Sequence, residues 1–435
     1  MPPWEIWVSE SQERMMFTVD PKNVEKVLSI CKEWDVEAVT IGEVISEKNN
    51  IVHYNGTEIL NLDLDFTTGG PVYRRPFNLP EYDTDKRKVQ PTYPTNFNDL
   101  INELIGKPEV ASKDWVIRQY DHEVRGKTVL KPIQGPIGKD VHGDSSVLKP
   151  VDDSWKGLAL TSDVNPYLME ANPYHGTMSA VEEVCRNLAS VGARIDSLAD
   201  CLCFGNPRKP DIMGQFKASC EALKDAAIAV DVPYVSGNVS LYNETAEGAI
   251  PPTPVLMGIG LVKDIRKCTS SDMKKEGSIW IIGETKEEMG ASLYYRHLNL
   301  ESGNVPTTNF EEFMPRMEQL IQAIENEEVV ACHDISTGGL AISIIEMCMS
   351  GIGANIELTS DLRADIELFS ESNGRWVVQV APGCEKKFSN RFDYVKQIGN
   401  VDEKILFTKN GEIISKLDIE KSRKNWTEPL WNRLA

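Results

Sequence analysis

The sequence predicts an α+β (mixed α/β) chain in which one domain type occurs twice. Two observations carry this. Short apolar strands alternate with long amphipathic helices over residues 150–435, and a set of short motifs recurs in the same order. Ser9-Glu10-Ser11-Gln12-Glu13-Arg14-Met15 matches Ser370-Glu371-Ser372-Asn373-Gly374-Arg375-Trp376 as S-E-S-x-x-R plus a large apolar residue. Ile41-Gly42-Glu43-Val44 pairs with Ile398-Gly399-Asn400-Val401, and Asn55-Gly56 with Asn410-Gly411. The offsets of 361, 357 and 355 keep the order with small deletions.

The elements follow in turn. Trp4–Val8 and Arg14–Val19 are expected as strands, and Pro21 to Trp34 as a helix opened by its proline, with Val24, Val27, Leu28 and Cys31 at helical spacing. Ile51–Tyr54 and Thr57–Leu60 flank Asn55-Gly56, a strong hairpin signal. Residues 69–95 read as a linker or ordered crossing loop. A helix is expected from Asn98 to Gly106, then a strand over Gly157–Thr161 and helices over Ser179–Ala193 and Asp211–Val230. Pro254–Val262 closes that region as a strand. Beyond it come a strand at Ser278–Gly283, helices at Asn309–Glu328 and Gly338–Ser350, and a strand at Trp376–Val380. The first S-E-S motif has eight residues ahead of it. The chain is therefore expected to begin inside the first copy, with unpaired strand edges and exposed apolar surface, as one piece of a split enzyme or a truncated reading frame.

Composition narrows the function classes. The chain has 435 residues, 41% hydrophobic and 26% charged, with a net charge of -20. No Lys/Arg-rich block offers the basic face of a nucleic-acid binder, so the acidic balance speaks for solubility. Met-Pro-Pro-Trp-Glu is not a signal peptide, and no apolar run reaches the roughly 20 residues that span a bilayer. Nine scattered cysteines suit free thiols in a reducing cytosol, so a cytoplasmic protein is expected. The C-x-C of Cys201 and Cys203 is a weak zinc signal on its own.

Four stretches could carry chemistry. Asp200-Cys201-Leu202-Cys203-Phe204-Gly205-Asn206-Pro207 places an aspartate where a strand leaves into a turn, able to carry magnesium, meet a nucleotide or cap the turn. Gly237-Asn238-Val239-Ser240 offers backbone donors and a neutral oxygen for a metal-bound phosphate, or a tight turn between strands. His333-Asp334-Ile335-Ser336-Thr337-Gly338-Gly339-Leu340 opens a helix, with Ser336 or Thr337 as N-cap and two glycines that let a phosphate approach, or a loop fixed by a His-Asp pair. Gln119 to Gly126 is polar and reads as a solvated strand edge. Gly135 to Lys139 lacks the spacing of a phosphate loop.

These motifs together resemble the synthetase (large) subunit of phosphoribosylformylglycinamidine synthase. The resemblance rests on W-E-I-W-V-S-E-S-Q-E-R-M at 4–15, Q-Y-D-H-E-V-R-G at 119–126, D-C-L-C-F-G-N-P at 200–207, S-G-N-V-S-L-Y-N-E-T at 236–245 and H-D-I-S-T-G-G-L-A at 333–341. It implies tandem A-B domains of the aminoimidazole ribonucleotide synthetase type. Residues 1–80 then correspond to the back half of the first B domain plus linker, 81–266 to the second, nucleotide-binding A domain, and 267–435 to the second B domain. The first A domain and the front of the first B domain would be absent, and with them the family's catalytic histidine, so no catalytic residue is assigned. The implied reaction is ATP-dependent amidination of formylglycinamide ribonucleotide through an iminophosphate attacked by glutamine-derived ammonia. By motif match, Glu10, Ser11, Gln12 and Ser240 are expected to contact substrate, Asp200 and Gly237 to contact ATP, and Asn238 to bind Mg2+. Implied partners are a chain or segment carrying the first A domain, a glutaminase subunit and a small accessory subunit. No nucleic acid or membrane is expected. The rival reading is a nucleotide-binding structural or regulatory module, or an incomplete fragment inactive alone.

Overall fold

The computed structural model describes residues 1–70, 72–81, 90–300 and 304–434. They divide into two units, Met1–Arg74 and Arg75–Ala435. Among the described residues no helix is long and apolar enough to cross a membrane.

The first unit holds α1 (Pro3–Trp7), α2 (Val24–Glu33), the antiparallel hairpin β1 (Asn49–Tyr54) and β2 (Thr57–Asp63), and α3 (Leu64–Thr68). Asn55 and Gly56 adopt φ 50° and 80°, the left-handed pair that a two-residue hairpin turn requires. Two expected strands do not form. Residues 4–8 are mostly helix α1: Trp4 and Trp7 fit a helical period as well as Trp4, Ile6 and Val8 fit a strand's, and the proline at its first turn suits a helix start. Residues 15–19 have the composition of a strand but pair with no strand among the described residues, and Met15, Met16 and Phe17 are exposed. No residue of this unit's helices is buried.

The second unit begins with α4 (Phe97–Ile105) and α5 (Asp114–Ile117), followed by β3 (Thr128–Leu130), the ribbon β4 (Ile133–Gln134) and β5 (Val141–His142), β6 (Ser146–Leu148) and β7 (Gly157–Asp163). Next come α6 (Pro166–Ala171), α7 (Pro173–Ser190), β8 (Ala193–Cys203), α8 (Pro210–Val230), β9 (Tyr234–Ser240), the ribbon β10 (Glu244–Thr245) and β11 (Gly248–Ala249), and β12 (Thr253–Val262). Six of these strands form one sheet in the order β3-β6-β7-β12-β8-β9, antiparallel except for the parallel pair β8–β9. Along β12 the even positions Leu256, Gly258 and Val262 are buried beneath helices, and Met257 and Leu261 face outward. Gly258 lets α7 come close, since a Cβ there would lie 2.3 Å from Val184 Cγ1. Of the expected linker 69–95, residues 71 and 82–89 lie outside the described set. Within the rest, Asn78 docks on the start of α8, its N–H donating to Pro210 O (3.0 Å) and its amide to Asp211 Oδ1 (2.8 Å).

The remaining elements are β13 (Ser278–Ile282), α9 (Leu293–His297), α10 (Phe310–Glu325), β14 (Val329–Asp334), α11 (Gly339–Cys348), β15 (Gly353–Leu358), α12 (Ala364–Phe369), β16 (Trp376–Val380), α13 (Glu385–Ser389), β17 (Val395–Asp402), β18 (Ile405–Lys409), β19 (Glu412–Leu417) and α14 (Ile419–Leu434). Their sheet runs β14-β16-β13-β17-β15-β18-β19. One hydrophobic core joins the two sheets: it contains Val184 and Leu188 of α7, Leu256 of β12, Phe313 of α10 and Trp376 of β16. Fourteen of the eighteen residues of α7 are buried, because it lies between the sheets rather than on a surface.

The repeat reappears as geometry. Arg375 donates to Ser372 O (2.8 Å) and Ser370 O (2.6 Å), and the hydroxyls of Ser370 and Ser372 are 2.9 Å apart. Arg14 bonds Ser11 O (3.1 Å) and Ser9 O, and the Ser9 and Ser11 hydroxyls are 3.1 Å apart. Both hairpins also slip register at corresponding places, between Val52 and His53 and between Phe407 and Thr408. The surroundings differ. Trp376 is fully buried, stacked on Phe313 (5.6 Å between centroids), and its indole N–H donates to Arg186 O (3.1 Å); Met15, in the corresponding position, is 82% exposed. Trp376→Ala should therefore cost about 3–5 kcal/mol in urea unfolding, and Met15→Ala less than about 0.5 kcal/mol. Equal losses at the two positions would contradict this assignment.

Candidate functional site

The site is built on the edge of the six-stranded sheet, where β8 and β9 run parallel. Their register sets Asp200 beside Gly237, Cys201 beside Asn238 and Cys203 beside Ser240. Side chains alternate along a strand, so the expected residues fall on two faces. Asp200 pairs across to buried Leu256 and so lies on the helix-covered face with Gly237. Asn238 and Ser240 lie on the opposite face with Cys201 and Cys203. A Cβ on Gly237 would stand 2.9 Å from Asp200 Oδ2, so the glycine makes room for the carboxylate. Burial pushes the Asp200 carboxyl above its ordinary range. No described side chain hydrogen-bonds to it.

Gly237 and Asn238 are strand residues, not the turn that their composition suggests; the chain turns after Ser240. Asn243 organises that turn, donating to Phe204 O (3.1 Å), Ser240 O (2.9 Å) and Ser240 Oγ (3.1 Å). Tyr242 takes φ 65° and its N–H bonds Gly205 O (3.0 Å). Glu244 accepts from Asn206 N (3.2 Å) and Lys209 Nζ (3.0 Å). The D-C-L-C-F-G-N-P and S-G-N-V-S-L-Y-N-E-T motifs are thus two sides of one hydrogen-bonded strand end. On the open face Asn238 Nδ2 donates to Cys201 Sγ (3.4 Å), which leaves its carbonyl oxygen as the available donor atom for a cation. That oxygen suits a hard ion such as magnesium; the neighbouring thiols do not.

Glu10, Ser11 and Gln12 lie in the first unit, exposed, between α1 and α2. The stretch Gln119 to Gly126 forms turns and a short 3-10 segment at Val124–Gly126 rather than a strand edge.

The H-D-I-S-T-G-G segment enters α11 through Gly338 and Gly339, at φ 86° and 69°. Neither Ser336 nor Thr337 caps the helix; Gly338 holds the cap position. The close approach that Gly339 permits is to backbone, since its Cβ would meet Ser370 O at 2.5 Å. The anion at this helix start is the protein's own: Glu371 Oε1 accepts from Gly338 N and Leu293 N, both at 2.8 Å. Burial pushes the Glu371 carboxyl up to about 7 despite these two donors.

Behind this segment is a buried charge cluster that the sequence did not disclose. Arg186 of α7, 1% exposed, bonds Asp334 Oδ2 (3.1 Å) and Glu182, and pairs with Glu183 (3.2 Å). Glu182 also accepts from Gly374 N (3.1 Å). His333 Nδ1 meets Asp144 Oδ1 (2.5 Å) and Nε2 meets Glu346 Oε2 (3.2 Å). Burial alone would depress the imidazolium, but the charge and hydrogen bond of Asp144, joined by Glu346, hold His333 well above its usual range. Asp144, His333 and Asp334 bring potential ligand atoms within 4.8 Å of one another. Both ring nitrogens are already engaged by carboxylates, so as it stands this trio is a closed ion-pair network rather than an open metal site. Charged residues on α7 at three- and four-residue spacing were the available signal; on a surface helix the same spacing would be solvated.

Family comparisons agree with the repeat. The family AIR synthase related protein, N-terminal domain, matches residues 142–262. The companion C-terminal domain matches twice, at residues 1–55 and 278–407. The chain belongs to the AIR synthase-related family. Relatives include phosphoribosylformylglycinamidine synthase subunit PurL of Thermococcus sibiricus, 39% identical over 431 residues (95% of this chain), and that of Thermoplasma volcanium, 35% identical over 434 residues (98% of this chain). The chain spans 57% of each of these relatives. Among solved structures, T. maritima PurL complexed with ATP aligns with a TM-score of 0.61 at 22% identity, covering 92% of this chain and 57% of that one. The structure of PurLQS from Thermotoga maritima aligns at 0.62, also at 22% identity, covering 92% of this chain and 57% of that one. These neighbours share the fold of this chain.

Two outcomes test the buried cluster. Arg186→Met should destabilise the protein by about 3–5 kcal/mol in chemical denaturation, because it strands buried carboxylates. Burial, opposed by Arg186, raises the Asp163 carboxyl from 3.8 to about 6. Between those values the unfolded state ionises first, so the parent loses stability as pH rises from about 4 to 6. Asp163→Asn removes that loss, and its melting temperature should gain on the parent's across this window. A gap that stays flat with pH would refute the shift.

Proposed function

We propose that the chain supplies part of the active site of a phosphoribosylformylglycinamidine synthase acting in purine biosynthesis. The observation that carries this is the 39% identity to a PurL relative over 95% of the chain, with Asp200, Gly237, Asn238 and Ser240 gathered at one strand end. Residues 1–80, 81–266 and 267–435 then serve as the back of a first B domain plus linker, a nucleotide-binding A domain and a second B domain. The substrates are ATP, formylglycinamide ribonucleotide and ammonia.

An amide carbonyl is a poor electrophile. Phosphoryl transfer from ATP to its oxygen gives an iminophosphate; ammonia attacks the carbon, and the C–O bond breaks as phosphate leaves. Asp200 and the backbone of Gly237 contact ATP. Ser240 is a substrate contact, and so, each in its own right, are Glu10, Ser11 and Gln12. Asn238 would donate its amide oxygen to Mg2+, which, when bound, offsets charge on the phosphates. Proton transfer is assigned to a group outside this chain, on a partner chain or segment carrying the first A domain. A glutaminase subunit supplies the ammonia, and a small accessory subunit completes the complex. The PurLQS assembly of the T. maritima relative supports such company, and a cytoplasmic location suits a purine enzyme with free thiols.

The isolated chain should show no amidine formation; robust turnover by it alone would overturn the division of the site. With a polypeptide carrying the first A domain, ATP- and ammonia-dependent activity should appear. A stable, well-folded complex without activity would instead favour a nucleotide-binding structural or regulatory module. Calorimetry with Mg-ATP should show Asn238→Ala binding at least about tenfold more weakly, with an unchanged melting temperature, since that amide makes one weak internal bond.

A further inference from the structure

Cys201 and Cys203 lie two residues apart on β8 and therefore project from the same face of the sheet, the one turned away from the helices. Their sulfurs are 3.8 Å apart. Neither thiol has a part in the proposed chemistry. The strand is paired on both sides around them: Cys201 faces Val255 of β12 and Asn238 of β9, and Cys203 faces Thr253 and Ser240. Their backbone is thus held extended from both flanks.

A dithiol in this setting can close to a disulfide or grip a cation. The extended strand works against the first. Positions two apart on a strand have Cα atoms about 6.6 Å apart, at the upper end of what a disulfide spans, and their Cβ atoms stay nearly as far apart, against the roughly 3.5–4.5 Å that a disulfide needs. Two flanking strands resist the shortening. The second use asks for no movement. Two thiolates bound about 2.3 Å from one metal ion stand about 3.8 Å apart at a tetrahedral angle and about 4 Å apart at a trigonal one. The sulfurs already have that bite. A third sulfur belongs to the same face. Met257 of β12 pairs with Ala199, two residues before Cys201, so it is the diagonal neighbour of Cys201, a spacing that a long unbranched side chain can cross. Val255, Thr253, Asn238 and Ser240, which flank the pair, bring no histidine and no carboxylate. The Asn238 amide N–H donates to Cys201 Sγ (3.4 Å), the kind of outer hydrogen bond that orients a metal-bound ligand.

The geometry points to a binding site for a soft d10 cation, Cu(I) in the first place, held by the thiolates of Cys201 and Cys203 with the Met257 thioether as third ligand. Sulfur donors select soft ions, and two thiolates with one thioether satisfy the low coordination number of Cu(I) but not the four ligands that zinc ordinarily takes. The ion enters as Cu(I), so no electron is transferred, and the two thiol protons pass to solvent. The hard magnesium of the proposed function and this soft ion call on different atoms, the Asn238 oxygen for one and the sulfurs for the other. The site stands on three sulfurs and the strand register, and it needs no nucleotide.

The test uses the full chain, reduced, stripped of metal and kept free of oxygen, with Cu(I) itself as the probe. In competition with a colorimetric Cu(I) chelator the chain should hold a single Cu(I), and X-ray absorption of the bound ion should show sulfur neighbours only. Cys201→Ser combined with Cys203→Ser should weaken binding at least about a hundredfold, and Met257→Leu at least about tenfold with a smaller count of sulfur neighbours. Both variants should keep the parent's melting temperature, since none of the three side chains is fully buried and the replacements are close in volume. Cys31→Ser and Cys384→Ser, at thiols elsewhere in the chain, should leave the affinity unchanged. Zn2+ should bind the same thiols more weakly than Cu(I), and Mg2+ should not displace Cu(I). The inference is overturned if the double serine variant keeps the parent's affinity, if nitrogen or oxygen neighbours dominate, if Zn2+ binds more tightly than Cu(I), or if Mg2+ displaces it. The measurement contains no nucleotide, so it passes or fails independently of the ATP reading.

Discussion

The second unit depends on one buried cation. Helix α7 lies between two sheets, so most of its polar side chains are out of water, and the guanidinium of Arg186 sits in protein on every side. It is kept there by Glu182, Glu183 and Asp334. Asp334 comes from the second sheet and the two glutamates from the helix, so the network ties together elements far apart in sequence. Trp376 extends the tie by donating to the Arg186 carbonyl. Carboxylates outnumber cations in the cluster, and the surplus is visible in Asp163 and Glu183, which burial and their like-charged neighbours push upward. Such a network does little for net stability compared with a well-packed apolar substitute, yet it punishes the loss of any one member.

The two copies of the S-E-S-x-x-R motif separate local from tertiary causes of structure. The arginine bonds the same two carbonyls in both, although one copy is buried and the other is in water. That turn is therefore written in its own few residues. The strand after it is not. Trp376 to Val380 form a strand because neighbours are present, and residues 15–19 of comparable character remain unpaired. Strand formation here is a property of the sheet, not of the segment.

This difference sets what could be read from the chain. The helices over residues 310–325 and 210–230, the Asn-Gly hairpins and the repeat itself were legible, since each rests on local spacing or turn chemistry. The helix at 3–7 was not, because a short aromatic run satisfies both periods. Gly237 and Asn238 looked like a turn for want of long side chains, and only the pairing with β8 reveals them as strand. The family resemblance, not composition, linked Asp200, Gly237, Asn238 and Ser240, and it could not assign them to faces. The Glu371 carboxylate at the start of α11 was hidden for a related reason: two glycines at a helix entrance suit a bound phosphate and a buried glutamate equally well.

The parallel pairing of β8 with β9 has a geometric corollary. A sheet is a single layer of backbone, and here it stands as a partition, with the Asp200 carboxylate on one side and the Asn238 amide on the other. Nothing can touch both by lying flat against either surface. A molecule that engages the pair has to pass around the border of the sheet, either the free edge of β9 or the end where the strands stop beside the Asn243 turn. The border of the sheet, rather than either face, is then the place where reach is measured.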